Sequence, residues 1–142
     1  SNNNAPFDHL EIFIRQNTKE TYIYNNLIYI SDKAKLKIDT RNDGTMNDWK
    51  NNLFFGNLVI DGSSDYEHNG TELFTNPMLV NPGGTTANDY KLQSTSPALG
   101  TGYIINGSDN VKNYIQNNGG RDYFGNSVSS NSKPNIGAYN GN

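Results

Sequence analysis

Seven residues recur almost unchanged 26 positions apart: Ile23-Tyr24-Asn25-Asn26-Leu27-Ile28-Tyr29 and Trp49-Lys50-Asn51-Asn52-Leu53-Phe54-Phe55. In both copies an apolar residue, an outward residue and two asparagines precede three apolar or aromatic residues. A unit of this length that repeats cannot bury its own apolar face and has to stack on its neighbours. Its β-branched and aromatic flanks, without helical spacing, make it a unit of strands. The expected fold class is therefore all-β, a coiled stack of parallel strands. A β-sandwich also offers short strands, at roughly 8–12-residue spacing, but does not call for doubled asparagines at one phase of a repeat.

The chain around the two copies fits that unit as far as the turn at 61–64. Leu10, Ile12 and Ile14 alternate with Glu11, Phe13 and Arg15, the period of a half-buried strand. Ala34, Leu36 and Ile38 alternate in the same way with Lys33, Lys35, Lys37 and Asp39, and Leu58-Val59-Ile60 follows the second copy. Arg41-Asn42-Asp43-Gly44-Thr45 and Asp61-Gly62-Ser63-Ser64 are turn sequences. From Tyr66 the repeat fades into a proline- and glycine-bearing stretch, as expected of an atypical terminal unit that seals a stack. Val111, Tyr114 and Ile115 predict two turns of helix within 109–117, and residues 1–5 and 141–142 are expected to be loose. The chain is read as one domain over 1–142, with coils over about 9–73 and a closing segment over 74–142.

Strands in such a stack lie about 4.8 Å apart, so equivalent positions sit above one another. Asn25 over Asn51 is expected to form a side-chain amide ladder, since an inward amide without a partner costs roughly 1–3 kcal/mol. The same superposition puts Trp49 over Ile23 and Leu53 over Leu27 in the core, with Tyr24 and Lys50 in the outward phase.

A net charge of −3 and a pI near 5.2 give no electrostatic reason to bind nucleic acid. No apolar run approaches the roughly 18 residues of a membrane span. The absence of cysteine removes disulfides, zinc thiolates and thiol catalysis. Asn69-Gly70-Thr71 and Asn106-Gly107-Ser108 are formal glycosylation sequons.

Two local patterns carry a family resemblance. Asn76-Pro77-Met78-Leu79-Val80-Asn81-Pro82 is followed by Asp89-Tyr90-Lys91-Leu92 and by Ser96-Pro97-Ala98-Leu99-Gly100-Thr101-Gly102. The tail then reads Gly120-Arg121-Asp122-Tyr123-Phe124-Gly125-Asn126 and Pro134-Asn135-Ile136-Gly137-Ala138-Tyr139. Together these resemble the closing segment of secreted bacterial right-handed parallel β-helix proteins, the pectate-lyase-like superfamily. Asn76 stands where that family usually has Asp, and Asn140 where a Glu often follows the Tyr. The resemblance implies a right-handed parallel β-helix of about three coils with an irregular C-terminal cap, forming the C-terminal part of a larger, secreted or cell-surface bacterial protein. It implies a polysaccharide partner and an activity of lyase or glycoside hydrolase type. The alternatives are a non-catalytic carbohydrate-binding or adhesive surface module, a capping fragment, and a trimeric phage tail fibre segment.

A lyase of this kind needs a base beside a neutralised carboxylate. Arg15, Lys33, Lys35 and Lys37 are the basic candidates, and Asp32, Asp39, Asp43 and Asp48 the acidic ones. Arg15, Tyr24, Lys35, Lys37 and Lys50 are the candidate substrate contacts; Asn25, Asn51 and Trp49 are read as structural. No catalytic residue is assigned. The stretch 39–44 is not an EF-hand, because Arg41 stands at a ligand position and Lys50 at the twelfth place. A turn-bound Ca²⁺ through Asp39 and Asp43 is the one metal reading, and otherwise no cofactor is expected. His9 and His68 read as surface residues. Asp61, Asp65, Glu67 and Glu72 are carboxylates from which a glycosidase pair would be drawn. Tyr24, Tyr29, Phe54 and Phe55, if outward, form a sugar-stacking stripe. The first strand leaves an open edge, at which self-association or an ordered N-terminal cover is expected.

Overall fold

The structure, a computed structural model, describes the backbone of residues 10–13, 19–30, 36–39, 48–56, 58–61, 70–105 and 120–141, and side chains within 19–30, 48–56, 70–105 and 120–141. Within these residues the chain is built of short strands: β1 (Leu10–Phe13), β2 (Tyr22–Tyr24), β3 (Leu27–Tyr29), β4 (Leu36–Asp39), β5 (Asp48–Lys50), β6 (Leu53–Phe55), β7 (Leu58–Asp61) and β8 (Leu73–Phe74). A single 3-10 turn spans Ala87–Tyr90. The fold is all-β.

Among the described residues no strand pairs with its neighbour in sequence. The strands form three parallel sheets in the orders β1-β4-β7, β2-β5 and β3-β6-β8. Ile23 pairs with Trp49 and Leu27 with Leu53, so the 26-residue sequence repeat is also the pairing register. The later connections are shorter: Leu36 pairs with Leu58 and Leu53 with Leu73, 22 and 20 positions on.

Alternation along the strands divides their two faces. On β5, Trp49 is fully buried while Asp48 and Lys50 on either side are half-buried. On β6, Leu53 and Phe54 are both buried, but against different partners. Phe54 stacks on Phe74 of the adjacent strand with ring centroids 5.7 Å apart. Leu53 joins Leu79, Leu92, Ala98 and Ile136 in one apolar cluster, with Leu27, Tyr29, Phe55, Leu73 and Tyr139 packed at its margin. One face of β3-β6-β8 is thus covered by the C-terminal segment. Each leucine buried there contributes roughly 2 kcal/mol.

Because it carries few regular ladders, that segment is held by individual hydrogen bonds. Leu79 and Leu92 form an antiparallel bridge flanked by Val80 N–H to Lys91 O and Gln93 N–H to Met78 O, both 2.9 Å. The buried Ser96 hydroxyl donates to Pro77 O and accepts from Ala98 N–H. Ile136 N–H donates to Ala98 O, and Gly102 N–H to Pro134 O. Gly102 is the one residue that fits here, since a Cβ would lie 2.7 Å from Pro134 O and 3.1 Å from Asn25 Oδ1.

The asparagine pairing differs from expectation by one residue. Asn25 and Asn51 both adopt the left-handed conformation, with φ of 58° and 51°, which asparagine tolerates better than most residues. A left-handed residue breaks the strand's alternation, so its side chain leaves the stacking phase and the next residue occupies it. The ladder accordingly joins Asn26 to Asn52: the Asn26 N–H and Nδ2 both donate to Asn52 Oδ1 at 3.0 Å. Asn52 Nδ2 in turn donates to Ile23 O at 2.8 Å. Asn52 is fully buried. The side chains of Asn25 and Asn51 turn instead to the C-terminal segment. Asn25 exchanges two bonds with Tyr103, accepting from its N–H at 2.6 Å and donating to its carbonyl at 2.9 Å. Asn51 donates to Thr101 O at 2.7 Å.

The helix expected within 109–117 and the loose segment expected at 1–5 lie outside the described residues.

Candidate functional site

The side chains on β2 and β5 that point away from Trp49 are Tyr22, Tyr24, Asp48 and Lys50, brought together by two residues of alternation on each of two paired strands. Tyr103 completes the group. It arrives from 78 positions away because Asn25 holds its peptide on both sides.

Asp48 is the centre of this patch. Its Oδ2 accepts from Tyr24 Oη at 2.5 Å and lies 2.7 Å from Lys50 Nζ. The Lys50 ammonium also lies over two rings, 4.6 Å from the Tyr103 centroid and 5.2 Å from that of Tyr24. Tyr24 meets Tyr103 edge-on at 5.1 Å and Tyr22 edge-on at 5.9 Å. The side chains of Lys50 and Asp48 are 21% and 31% exposed, so the pair is partly solvated. Its ionic part is worth at most about 1 kcal/mol, and each cation–π contact about the same.

Chemically, the patch carries one cation, one anion and three phenols. Lys50 is a cation committed to Asp48 and to two ring faces, which is not the arrangement of a base waiting for a substrate proton. The site offers aromatic surface beside hydroxyl and charged hydrogen-bonding groups, the combination that suits a polyhydroxylated ligand.

Of the candidate substrate contacts, Tyr24 and Lys50 are therefore neighbours. Lys37 lies on β4 opposite Val59, and Asp39 opposite Asp61, as placed by backbone register alone. Arg15, Lys35 and Asp43 lie outside the described residues, as do Lys33, Asp32, Asp65, Glu67, His9 and His68. Glu72 is buried. Among the described residues no three His, Asp or Glu side chains gather into a metal-binding group. Nor is any helix there long and apolar enough to cross a membrane.

The four aromatics considered as one stripe are divided between sheets. Tyr24 belongs to the Lys50 patch on β2-β5, whereas Tyr29 and Phe55 pair at 5.5 Å against the apolar cluster. Phe54 is buried. Tyr22 and Asp48 were readable as same-face partners of Tyr24 and Lys50, two residues earlier on each strand. Tyr103 carried no comparable signal, because its position depends on the left-handed turn at Asn25.

Comparison with family profiles, with curated proteins and with solved structures gives no match for this chain.

Proposed function

We propose that this chain closes a right-handed parallel β-helix within a secreted polysaccharide-active protein of lyase or glycoside hydrolase type, and that the β2-β5 face contacts the saccharide. The observation that supports the β-helix is the pairing pattern. Three parallel sheets are each built from strands 20 to 27 positions apart, with an Asn26–Asn52 rung, its Asn52 side buried, at the bend between two of them. The polysaccharide part rests on the resemblance of the closing segment, together with the phenol-rich patch at Asp48. A closing role for residues 96–102 and 120–139, which carry part of that resemblance, is supported by two contacts: Ile136 packs in one cluster with Leu53, and Gly137 N–H donates to Asn25 O.

The internal arrangement of the patch favours a specific division of labour. With Lys50 engaged by Asp48 and two rings, this face binds saccharide and does not cleave it. A binding module without any catalysis is the second reading, favoured by the same engagement of Lys50.

The test is a glycan array of acidic and neutral polysaccharides, read with and without Ca²⁺, using the chain and its Lys50→Met and Tyr24→Ala variants. Retention that both substitutions weaken supports the reading. Retention unaffected by either places the saccharide elsewhere, and new unsaturated or reducing ends would overturn the non-cleaving assignment of this face.

A further inference from the structure

A concave site lies on a different sheet from the Lys50 patch, where the C-terminal segment meets β3. It is a half-open cleft of about 440 Å³ lined by Leu27, Tyr29, Leu79, Gly83, Tyr90 and Ala138. That volume is within the range of small-molecule sites, roughly 300–1,000 Å³.

Its walls come from two independent parts of the fold and both are fixed in place. Tyr29 projects from β3 on the Leu27 side and is braced by Phe55, 5.5 Å away. Tyr90 ends the 3-10 turn, and its hydroxyl donates to Gly84 O at 2.9 Å. The loop beneath Tyr90 is tied by the Asp89 carboxylate, which accepts from Thr86 N–H at 2.9 Å, from Thr86 Oγ1 at 2.7 Å and from Asn81 Nδ2 at 3.0 Å. Asn81 N–H closes the loop on Asp89 O at 2.8 Å. Tyr90 nonetheless keeps 47% of its surface exposed. A ring already held rigid loses little freedom when a ligand covers it, so stacking on Tyr90 carries a small ordering cost.

The chemistry of the lining narrows the ligand. No lining residue is charged, so nothing there compensates the desolvation of an ionic ligand. Leu27, Leu79 and Ala138 supply apolar surface, and two tyrosines add ring faces and hydroxyl oxygens. A ligand with an apolar face and a rim of neutral hydroxyls satisfies all of these together. We infer that the Tyr29–Tyr90 cleft binds one or two rings of a neutral sugar, with the pyranose face against tyrosine. The inference does not rest on the β2-β5 patch, which is charged and belongs to a different sheet.

The experiment is titration of the full chain, labelled with ¹⁵N, by neutral disaccharides (cellobiose, maltose and lactose), a galacturonate oligomer and an apolar dye. At least one neutral disaccharide is expected to shift the amide signals of Gly83, Leu79 and Ala138. Tyr90→Ala, at a half-exposed position, is expected to weaken that binding about tenfold or more while leaving the Asn52 and Ile136 signals unmoved. Tyr90→Phe keeps the ring and loses only the bond to Gly84, so it is expected to bind more weakly than the wild type but better than Tyr90→Ala. Shifts from the dye or the galacturonate alone, no shift from any neutral sugar, or binding indifferent to Tyr90→Ala would each overturn the inference. Loss of galacturonate binding on Lys50→Met with neutral-sugar shifts at Gly83 intact would separate the two sites.

Discussion

The outward side chains of β5 and the cluster-facing side chains of β6 lie only a few positions apart in sequence, yet they meet different fates. Asp48 and Lys50 hold each other and two tyrosines, Tyr24 and Tyr103, at a partly solvated surface, whereas Leu53 is sealed beneath Leu79, Leu92, Ala98 and Ile136. What separates them is the left-handed Asn51, which ends one strand's alternation and starts the next. The comparison teaches that the repeat specifies strand pairing, while residues next to the asparagine bend decide which face the C-terminal segment can cover. An ion pair offers it little to bury, and a leucine row offers it a core.

The difference is largest where apolar area is buried. Leu53→Ala is expected to cost about 3–4 kcal/mol, the range for emptying a buried leucine site that cannot collapse, and chemical denaturation would measure it. Lys50→Met on the other face is expected to change stability by less than about 1 kcal/mol in either direction. Equal losses from the two substitutions would break the distinction between the faces.

Second in size is the ladder. Asn52→Ala removes the acceptor used twice by Asn26 and the donor to Ile23 O. Stranding those backbone groups is expected to cost about 2–3 kcal/mol, again by denaturation.

The bend itself sharpens the comparison further. Asn25→Ala imposes a left-handed conformation on a residue that resists it and deletes both bonds to Tyr103; Asn25→Gly deletes the bonds alone. Asn25→Ala is therefore expected to be the less stable by about 1 kcal/mol. Tyr103 should leave the Lys50 patch in both variants, detectable as loss of its ring-current effect on Lys50. Equal stability of the two would show that the backbone conformation at this position carries no strain.

The smallest effect is one of pH. Partial burial pushes the Asp122 carboxyl up, but hydrogen bonds from Asn140 N–H, the Asn126 amide and N–H, and Phe124 N–H outweigh it and hold the pKa below its ordinary value of 3.8. A lowered folded-state pKa contributes stability above the unfolded value, lost as pH falls through the folded one. Thermal melts of the wild type should therefore fall off below about pH 4 more steeply than those of Asp122→Asn.

Much of the strand framework was legible because it obeys simple periods. Ile23 over Trp49 and Leu27 over Leu53 follow from the 26-residue spacing, the strand at 36–39 from alternation, and that at 58–61 from the apolar run Leu58-Val59-Ile60. The ladder was misplaced by one residue because a period argument treats both asparagines as strand residues, and only backbone conformation shows that the first of each pair is left-handed. The patch was half legible: alternation pairs Tyr22 with Tyr24 and Asp48 with Lys50, but Tyr103 is fixed by hydrogen bonds across 78 positions. The Tyr29–Tyr90 cleft was not legible at all. It exists only where β3 meets a loop shaped by the Asp89 carboxylate, a contact with no sequence periodicity.

The most direct test of the architecture is amide-to-amide nuclear Overhauser contacts between strands. Parallel pairing one repeat apart predicts cross-strand contacts linking residues 22–24 with 48–50 and 27–29 with 53–55, together with a contact from the Asn26 side-chain amide to Asn52. Contacts linking 22–24 to 27–29 as an antiparallel hairpin, or an Asn52 amide exposed to solvent exchange, would contradict it.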